Sequence, residues 1–419
     1  MRLDCGISLQ QEVGWDRQTL RMARYLADSR DESFLVYSES VLLEQISSWG
    51  RKFPTLQPVH EVGYNSLGRV LEGLSGHGVR LDVSAKHQIG TLDNLALLNQ
   101  DADVVFSAPH KIGSHIKFAR EKGIQNVVFN SREEIKKIVK NSPSARVWIQ
   151  FDCSQTANLV EIKELIQISM ESGLNLVGIY LEISTLEEEL NQLLQWILVS
   201  RSILDWSRAQ GAEIKLVHLG ELAGTSFSHG FVSDLNSALN KVFPAYLGIR
   251  LSATASKFLV SPTITLAARI VKLDDTKTEL KNYFINEGVF GAFSGNLCIE
   301  GCVSTPYPLG GGKGRKGNRS QVYDTKIFGP SGDELDIILE DILLPELEKD
   351  DWLLFSGMGC LNNLEFINHS NVSGTRNFIY NKMEEVDECF DPAKPCSWEF
   401  NSCQSIEINL DNFEILNFA

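Results

Sequence analysis

From Ser33 onward the apolar residues fall into short runs separated by segments of helical spacing. Phe34 to Tyr37 reads as a strand, and Ser38 to Trp49 as an amphipathic helix with Ser38 as its N-cap. Gln57 to Gln88 then gives a strand (Val59 to Val62), a helix (Ser66 to Leu74), a glycine-rich turn and a second strand (Val79 to Val83), which is a βαβ step. The step repeats. A strand at Val104 to Ser107 precedes a helix from Ile112 to Lys122, and a strand at Val127 to Asn130 precedes a helix opened by Ser131-Arg132-Glu133-Glu134 with capping-box spacing. Val147 to Phe151, a helix from Leu159 to Glu171, Leu176 to Ile183, a helix through Trp206, Ile214 to Leu219 and Leu247 to Leu251 extend the series. Such an alternation predicts a parallel sheet, and about eight units close into a (β/α)8 barrel. An N-terminal helix is expected near Asp16 to Leu26.

Past Pro262 the texture changes. Ile264 to Lys272, Tyr283 to Asn286, Leu297 to Val303, Gln321 to Phe328, Trp352 to Phe355, Asn377 to Tyr380 and Ser405 to Asn409 are short, β-rich and set between Gly, Pro, Asn and Asp. They predict an all-β second domain of sandwich or barrel type. The expected division is 1–30 as a segment packing with the β domain, 31–262 as the barrel and 263–419 as the β domain. The glycine-rich Gly310 to Arg319 lacks phosphate-loop spacing and reads as a basic surface loop, and Glu384 to Asp391 as a solvated acidic run.

Composition narrows the function classes. A net charge of −15 disfavours non-specific binding to nucleic acid or to anionic membrane. No apolar run approaches the ~18–20 residues of a membrane span, and the first residues have neither a basic nor an apolar signal-peptide region. The eight cysteines form no C-x-x-C pair, so reduced thiols in a cytoplasmic protein are expected. His60-Glu61 lacks the second histidine of a zinc motif, and no metal site is expected.

Several strings identify the chain as similar to the eukaryotic ornithine decarboxylase and antizyme inhibitor family, pyridoxal phosphate (PLP) enzymes and their relatives on an alanine-racemase-like barrel. The first strand Glu61-Val62-Gly63-Tyr64-Asn65 and the turn Val79 to Lys86 stand in the family frame, as do Asn286 to Phe293, Phe328 to Asp336, Leu344 to Leu347, Asp351 to Phe355 and Cys396 to Glu399. The resemblance implies the barrel, the β domain and a dimer. It also implies which positions carry the chemistry, and most are changed. Gly63 stands where the family has its PLP lysine, and Glu182 where a histidine stacks on the cofactor ring, three residues before Thr185. Gly220-Glu221 replaces a glycine-only phosphate turn, and Thr254 and Lys257 replace a carboxylate and an arginine. Gly332 replaces a cysteine beside a retained Asp333, Leu361 a tyrosine, Gln150 a buried arginine, and Cys298-Ile299 a substrate-binding pair; Asp82 is retained. These exchanges lead to the expectation of no bound cofactor and no catalysis.

His218 and Glu182, at strand ends where barrel enzymes place their chemistry, are a conceivable replacement acid–base pair. The plainer reading is that they fill the vacated pocket. Finally, His110 to Gln125 resembles the family's antizyme-binding element. It nominates Lys111, Ser114, Lys117, Arg120 and Lys122, with Lys136 and Lys137 on the following helix, as a partner-binding face. The resulting expectation is an antizyme-inhibitor-like regulator of polyamine synthesis. The alternatives are a pseudoenzyme subunit paired with an active decarboxylase, or a divergent decarboxylase with remodelled chemistry.

Overall fold

The structure, a computed structural model, describes residues 17–28, 30–98, 103–153, 159–186, 189–274, 280–294, 305–309, 321–360 and 377–381. The chain divides into two compact units, Leu42–Ser261 and Met1–Val41 with Pro262–Ala419.

The first unit is a closed parallel barrel. Its strands are β2 (Leu56–Glu61), β3 (Arg80–Val83), β4 (Val105–Phe106), β5 (Asn126–Phe129), β6 (Arg146–Asp152), β7 (Asn175–Glu182), β9 (Leu216–Leu222) and β10 (Arg250–Thr254). They pair in that order, and β10 closes on β2. A two-residue strand, β8 (Ser184–Thr185), adds to β9. Between them run α2 (Glu39–Lys52), α3 (Gly68–Gly76), α4 (Lys86–Asn94), α5 (Gly113–Glu121), α6 (Arg132–Asn141), α7 (Leu159–Glu171), α8 (Leu190–Ala209) and α9 (His229–Val242), with the short α10 (Ser256–Val260) after β10. The strands are buried along most of their length because the barrel interior covers one face and the helices the other.

Local signals explain several of these elements. The Ser131 side chain accepts from Glu134 N at 3.3 Å, so the predicted cap starts α6. Ser38 Oγ accepts from Val41 N at 3.5 Å at the start of α2. Inside the barrel Val105, Val128, Trp148, Tyr180 and Leu216 form one cluster. Trp148 lies flat against Gly178, where a Cβ would sit 2.3 Å from its ring, so that strand position admits only glycine without rearrangement. Outside it, Trp49, Phe53, Phe227, Phe231 and Phe258 stack into an aromatic cluster under α2, α9 and α10.

The second unit is a mostly antiparallel, curled sheet. Its strands β11 (Ile264–Leu273), β12 (Leu280–Ile285), β13 (Tyr307–Leu309), β14 (Val322–Phe328), β15 (Ile337–Pro345) and β16 (Trp352–Phe355) run in the order β13-β16-β11-β12-β14-β15. The strand β1 (Phe34–Ser38), expected within the barrel segment 31–262, pairs instead with β11 and with β17 (Asn377–Asn381). The reason is its pattern. All of β1 is buried, and Phe34 and Val36 pack with Leu20 and Ala23 of α1 (Arg17–Ala27) and with Trp352. The expected strands at Leu297 to Val303 and Ser405 to Asn409, the Gly310 to Arg319 loop and the Glu384 to Asp391 run lie outside the described residues.

Candidate functional site

The C-terminal ends of β2, β3, β6, β7, β9 and β10 surround a cavity of about 280 Å³, lined by Glu61, Tyr64, Gln150, Tyr180, Glu182, His218, Gly220, Glu221 and Thr254 among others. Two layers of polar contacts build it. The deeper one starts from Arg80 and Asp82, which share one face of β3 because strand side chains alternate. Arg80 Nε donates to Asp82 Oδ1 at 3.0 Å and Nη2 to Oδ2 at 3.4 Å, and both side chains are buried. Tyr180 Oη adds a 3.3 Å donor to Asp82 Oδ2. Burial pushes the Asp82 carboxyl upward, and the guanidinium opposes that shift.

Arg80 also fixes a histidine tautomer. Its Nη2 lies 3.3 Å from His218 Nδ1, and a guanidinium can only donate, so Nδ1 accepts and the ring proton is on Nε2. Ser252 Oγ lies 3.1 Å from the same Nδ1. His218 Nε2 then faces Thr254 Oγ1 at 3.2 Å, and Thr254 Oγ1 donates to Glu61 Oε1 at 3.3 Å. The His218 ring packs on Tyr180 with centroids 4.3 Å apart. Burial, and secondarily Arg80, holds His218 well below the ordinary imidazole range, so it is neutral. Glu61 is pushed up to about 7 by burial and by the Asp82, Glu221 and Glu182 charges.

The outer layer centres on Glu221. Tyr64 Oη donates to its Oε1 at 2.7 Å, Ser184 Oγ to its Oε2 at 2.9 Å, and Lys257 Nζ lies 3.8 Å away. Gly220 has φ +77°, and a Cβ there would meet Ile183 O at 2.4 Å, so this turn keeps its glycine for backbone reasons. Glu182 ends β7 with its residue exposed overall but its carboxyl partly desolvated against the barrel rim, which, with the Asp152 charge, raises that carboxyl.

The structure thus gathers Asp82, Gln150, Glu182, Gly220, Glu221, Thr254 and Lys257 around one mouth. Gly63 stands in the turn two residues past the end of β2. A Cβ on it would lie 3.2 Å from Gln88 Nε2, and Gln88 Oε1 accepts from Ser84 N (2.8 Å) and Ala85 N (3.2 Å) to start α4. Thr185 is buried and its hydroxyl has no partner among the described residues. Gly332 (φ +67°) and Asp333, which caps the turn Glu334–Asp336 through Leu335 N at 2.8 Å, belong to the other compact unit. Leu361, Cys298 and Ile299 lie outside the described residues. His218 is buried and Glu182 is exposed, and no hydrogen bond joins the two among the described residues. The sequence reading missed Arg80 and Tyr180. The signal was available in Arg80-Leu81-Asp82, an i, i+2 charge pair on one strand face.

On α5 and α6 the nominated residues separate. Ser114, Lys117, Arg120 and Lys136 are exposed. Lys122 is engaged by Asp93. Lys137 Nζ donates to Lys111 O and Glu134 Oε1, both at 2.9 Å. Lys111 is corrected outright. It is buried, its Nζ donating to Ala108 O and Val128 O at 2.5 Å and pairing with Glu134 Oε2 at 3.4 Å, so it locks α6 to the barrel and offers nothing to a partner. Burial pulls its ammonium down to about 8, against the opposing pull of Glu134.

A family model described as the pyridoxal-binding domain of pyridoxal-dependent decarboxylases matches residues 39–261, and the chain belongs to that family. Within it, the chain falls with the ornithine decarboxylases and antizyme inhibitors. It is 25% identical over 355 residues to antizyme inhibitor 1 of Rattus norvegicus, covering 78% of each chain. It is 24% identical over 363 residues to ornithine decarboxylase of Mus musculus, covering 80% of this chain and 77% of that one. Its fold is that of the arginine decarboxylase of Paramecium bursaria Chlorella virus, with a TM-score of 0.77 at 20% identity, covering 87% of this chain and 100% of the other.

The family match corrects the expectation of a barrel with no cofactor, because the matched domain is by class a pyridoxal-binding one. The described cavity lining fits the group unevenly. Tyr64, Ser84, Ser107 and Ser184 offer hydroxyls, but no lysine or arginine is among the lining residues, and Glu61, Glu182 and Glu221 place carboxylates where a phosphate would be repelled.

Proposed function

We propose that this chain is a non-catalytic, cytoplasmic regulator of polyamine synthesis that works, like the antizyme inhibitors it resembles, by binding antizyme. The observation that carries this reading is at Gly63. In the family frame that position supplies the amine, and here it has no side chain while Gln88 is held against it by the start of α4. A pyridoxal group, when bound, supplies an electron sink for decarboxylation, and a protein amine is what captures it covalently and exchanges it onto substrate. The residues this chain does place at the mouth are committed otherwise. Arg80 is spent on Asp82 and His218 is neutral.

The partner face rests on α5 and α6. Lys117, Arg120, Lys136 and Lys140 are exposed on these two packed helices, with Ile112 (60% exposed) and Val139 (36%) beside them. In a chain of net charge −15 these exposed cations suit an acidic partner surface. The test is direct binding of antizyme to the purified chain. Binding is expected, and Lys117→Glu with Lys136→Glu is expected to weaken it by about tenfold or more. Undetectable binding by the unsubstituted chain overturns the proposal, and co-purification of an active decarboxylase in its place favours the pseudoenzyme subunit.

A further inference from the structure

The connection from β4 to α5, Ser107 to Ile112, touches two places at once. Its first half belongs to the barrel mouth. Ser107 and Pro109 line the cavity, and Ser107 N donates to Val83 O at 2.9 Å. The Tyr180 hydroxyl, which donates to Asp82, makes a second polar contact with the Ser107 side chain. Its second half belongs to the helices. Lys111 N donates to Glu134 Oε1 at 3.2 Å, and Lys111 O accepts from Lys137 Nζ at 2.9 Å. Ile112 O accepts from His115 N at 2.9 Å and Ile116 N at 3.2 Å, which opens α5. Lys111 Nζ closes the unit, bonding Ala108 O within the connection, Val128 O on β5 and Glu134 Oε2 on α6.

Both backbone polar groups of Lys111 and the donors of its ammonium are thus taken up by neighbours, and the Pro109 ring fixes one φ of the segment. A connection this short and this fully bonded has no slack to absorb a shift at one end. A second arrangement is also open to it. Buried Glu134 is shared by two lysines, and Lys137 Nζ, 2.9 Å from Oε1, remains its partner when Lys111 leaves. Release returns the Lys111 ammonium to water, whereas burial works against it in the locked arrangement.

We propose that Ser107 to Ile112 is a coupling strap through which the barrel mouth regulates the α5–α6 face. A shift of Ser107 and Pro109 at the mouth draws Lys111 off α6, unties Lys137 from the strap and frees the first turn of α5. The two helices then lose the fixed relation that a partner surface needs. Coupling is reciprocal, so a partner that holds α5 and α6 also fixes the mouth. The strap itself is independent of antizyme, and only its effect on binding rests on the antizyme-binding reading.

The test is amide hydrogen exchange on the full-length chain at pH 7, followed by mass spectrometry, with three variants. Pro109→Gly loosens the strap at an exposed residue. Tyr180→Phe perturbs it from β7, and Ser184→Ala removes a hydroxyl from the same cavity off the strap. In Pro109→Gly the peptides covering the starts of α5 and α6 are expected to exchange about tenfold faster, and in Tyr180→Phe several-fold faster. Ser184→Ala leaves them unchanged, and the start of α9, elsewhere in the ring, is unchanged in all three. The inference is overturned if Pro109→Gly or Tyr180→Phe leaves the start of α6 at its ordinary rate, or if Ser184→Ala accelerates it equally. Equal acceleration of α9 overturns it too, because that marks a general loss of stability. Antizyme binding by Pro109→Gly is expected to be several-fold weaker, and unchanged affinity alongside faster α6 exchange overturns the regulatory role. An unsubstituted chain that binds no antizyme refutes the partner reading instead, and the exchange pattern still decides the strap.

Discussion

Arg80→Met is the substitution that most sharply probes how the barrel interior is held. Methionine keeps the aliphatic stem and removes the guanidinium, and with it the two contacts to Asp82 (3.0 and 3.4 Å), one to Ser252 (3.1 Å) and one to His218 (3.3 Å). A charge pair at ~3 Å is worth about 5 kcal/mol at an effective dielectric near 20. The loss has a ceiling, however, because the stranded Asp82 can take up a proton. At pH 7 that costs about 4 kcal/mol against an unfolded carboxyl near 3.9, and at pH 5 only about 1.5 kcal/mol. We therefore expect Arg80→Met to lower stability by about 3–4 kcal/mol at pH 7 and by about 2 kcal/mol less at pH 5. The sign follows from linkage. A carboxyl whose folded pKa is raised holds its proton longer in the folded state, so the variant loses stability as pH rises from the unfolded pKa toward the folded one. Urea unfolding at the two pH values, followed by tryptophan fluorescence, measures both quantities. Arg80→Met with Asp82→Leu should recover most of the loss, because a buried pair replaced whole costs far less than one broken. A loss under about 1 kcal/mol at pH 7, or an equal loss at both pH values, refutes the buried-pair reasoning.

Other outcomes follow from the same geometry. Gly220→Ala must place its Cβ 2.4 Å from Ile183 O at φ +77°, and is expected to cost roughly 2 kcal/mol or more in the same urea assay. Glu61, pushed up to about 7, holds its proton in the folded chain where the unfolded chain has lost it, so its contribution to stability is lost as pH rises from the ordinary carboxyl range to about 7. Glu61→Gln should flatten that slope and be the more stable protein at pH 8 by on the order of 2 kcal/mol, as melting curves across pH will show. His60, buried and lowered to about 4, acts in the opposite sense: the folded chain keeps it neutral, so it costs stability as pH falls from the ordinary imidazole range to about 4. Lys111→Met, which strands buried Glu134, is expected to unfold more easily by about 3 kcal/mol, whereas Lys117→Glu should leave urea unfolding unchanged.

The barrel was legible because its strands are continuous apolar runs such as Val127 to Phe129 and its helices carry i, i+4 spacing. α4 escaped notice, since only Gln88, Ile89 and Leu92 of Lys86–Asn94 are buried and its start is fixed by the Gln88 side chain. α9 carried a readable signal in Phe231, Leu235 and Leu239 behind the Ser228 cap. β1 looked like a barrel strand because local pattern cannot name a partner; its antiparallel pairing with β11 joins residues more than two hundred positions apart. For the site, the resemblance located the changed positions, but not what replaced their contacts. That Arg80 reaches His218 as well as Asp82 is a consequence of barrel closure, which brings together strands distant in sequence. A lysine just ahead of an amphipathic helix reads the same whether it faces solvent or, like Lys111, two backbone carbonyls.

The central claim is tested most directly by carbon dioxide release. The purified chain, supplied with pyridoxal 5′-phosphate and offered ornithine, lysine or arginine in turn, is predicted to release none above a protein-free control. Sustained turnover on any of the three, abolished by a substitution at the barrel mouth, would contradict it.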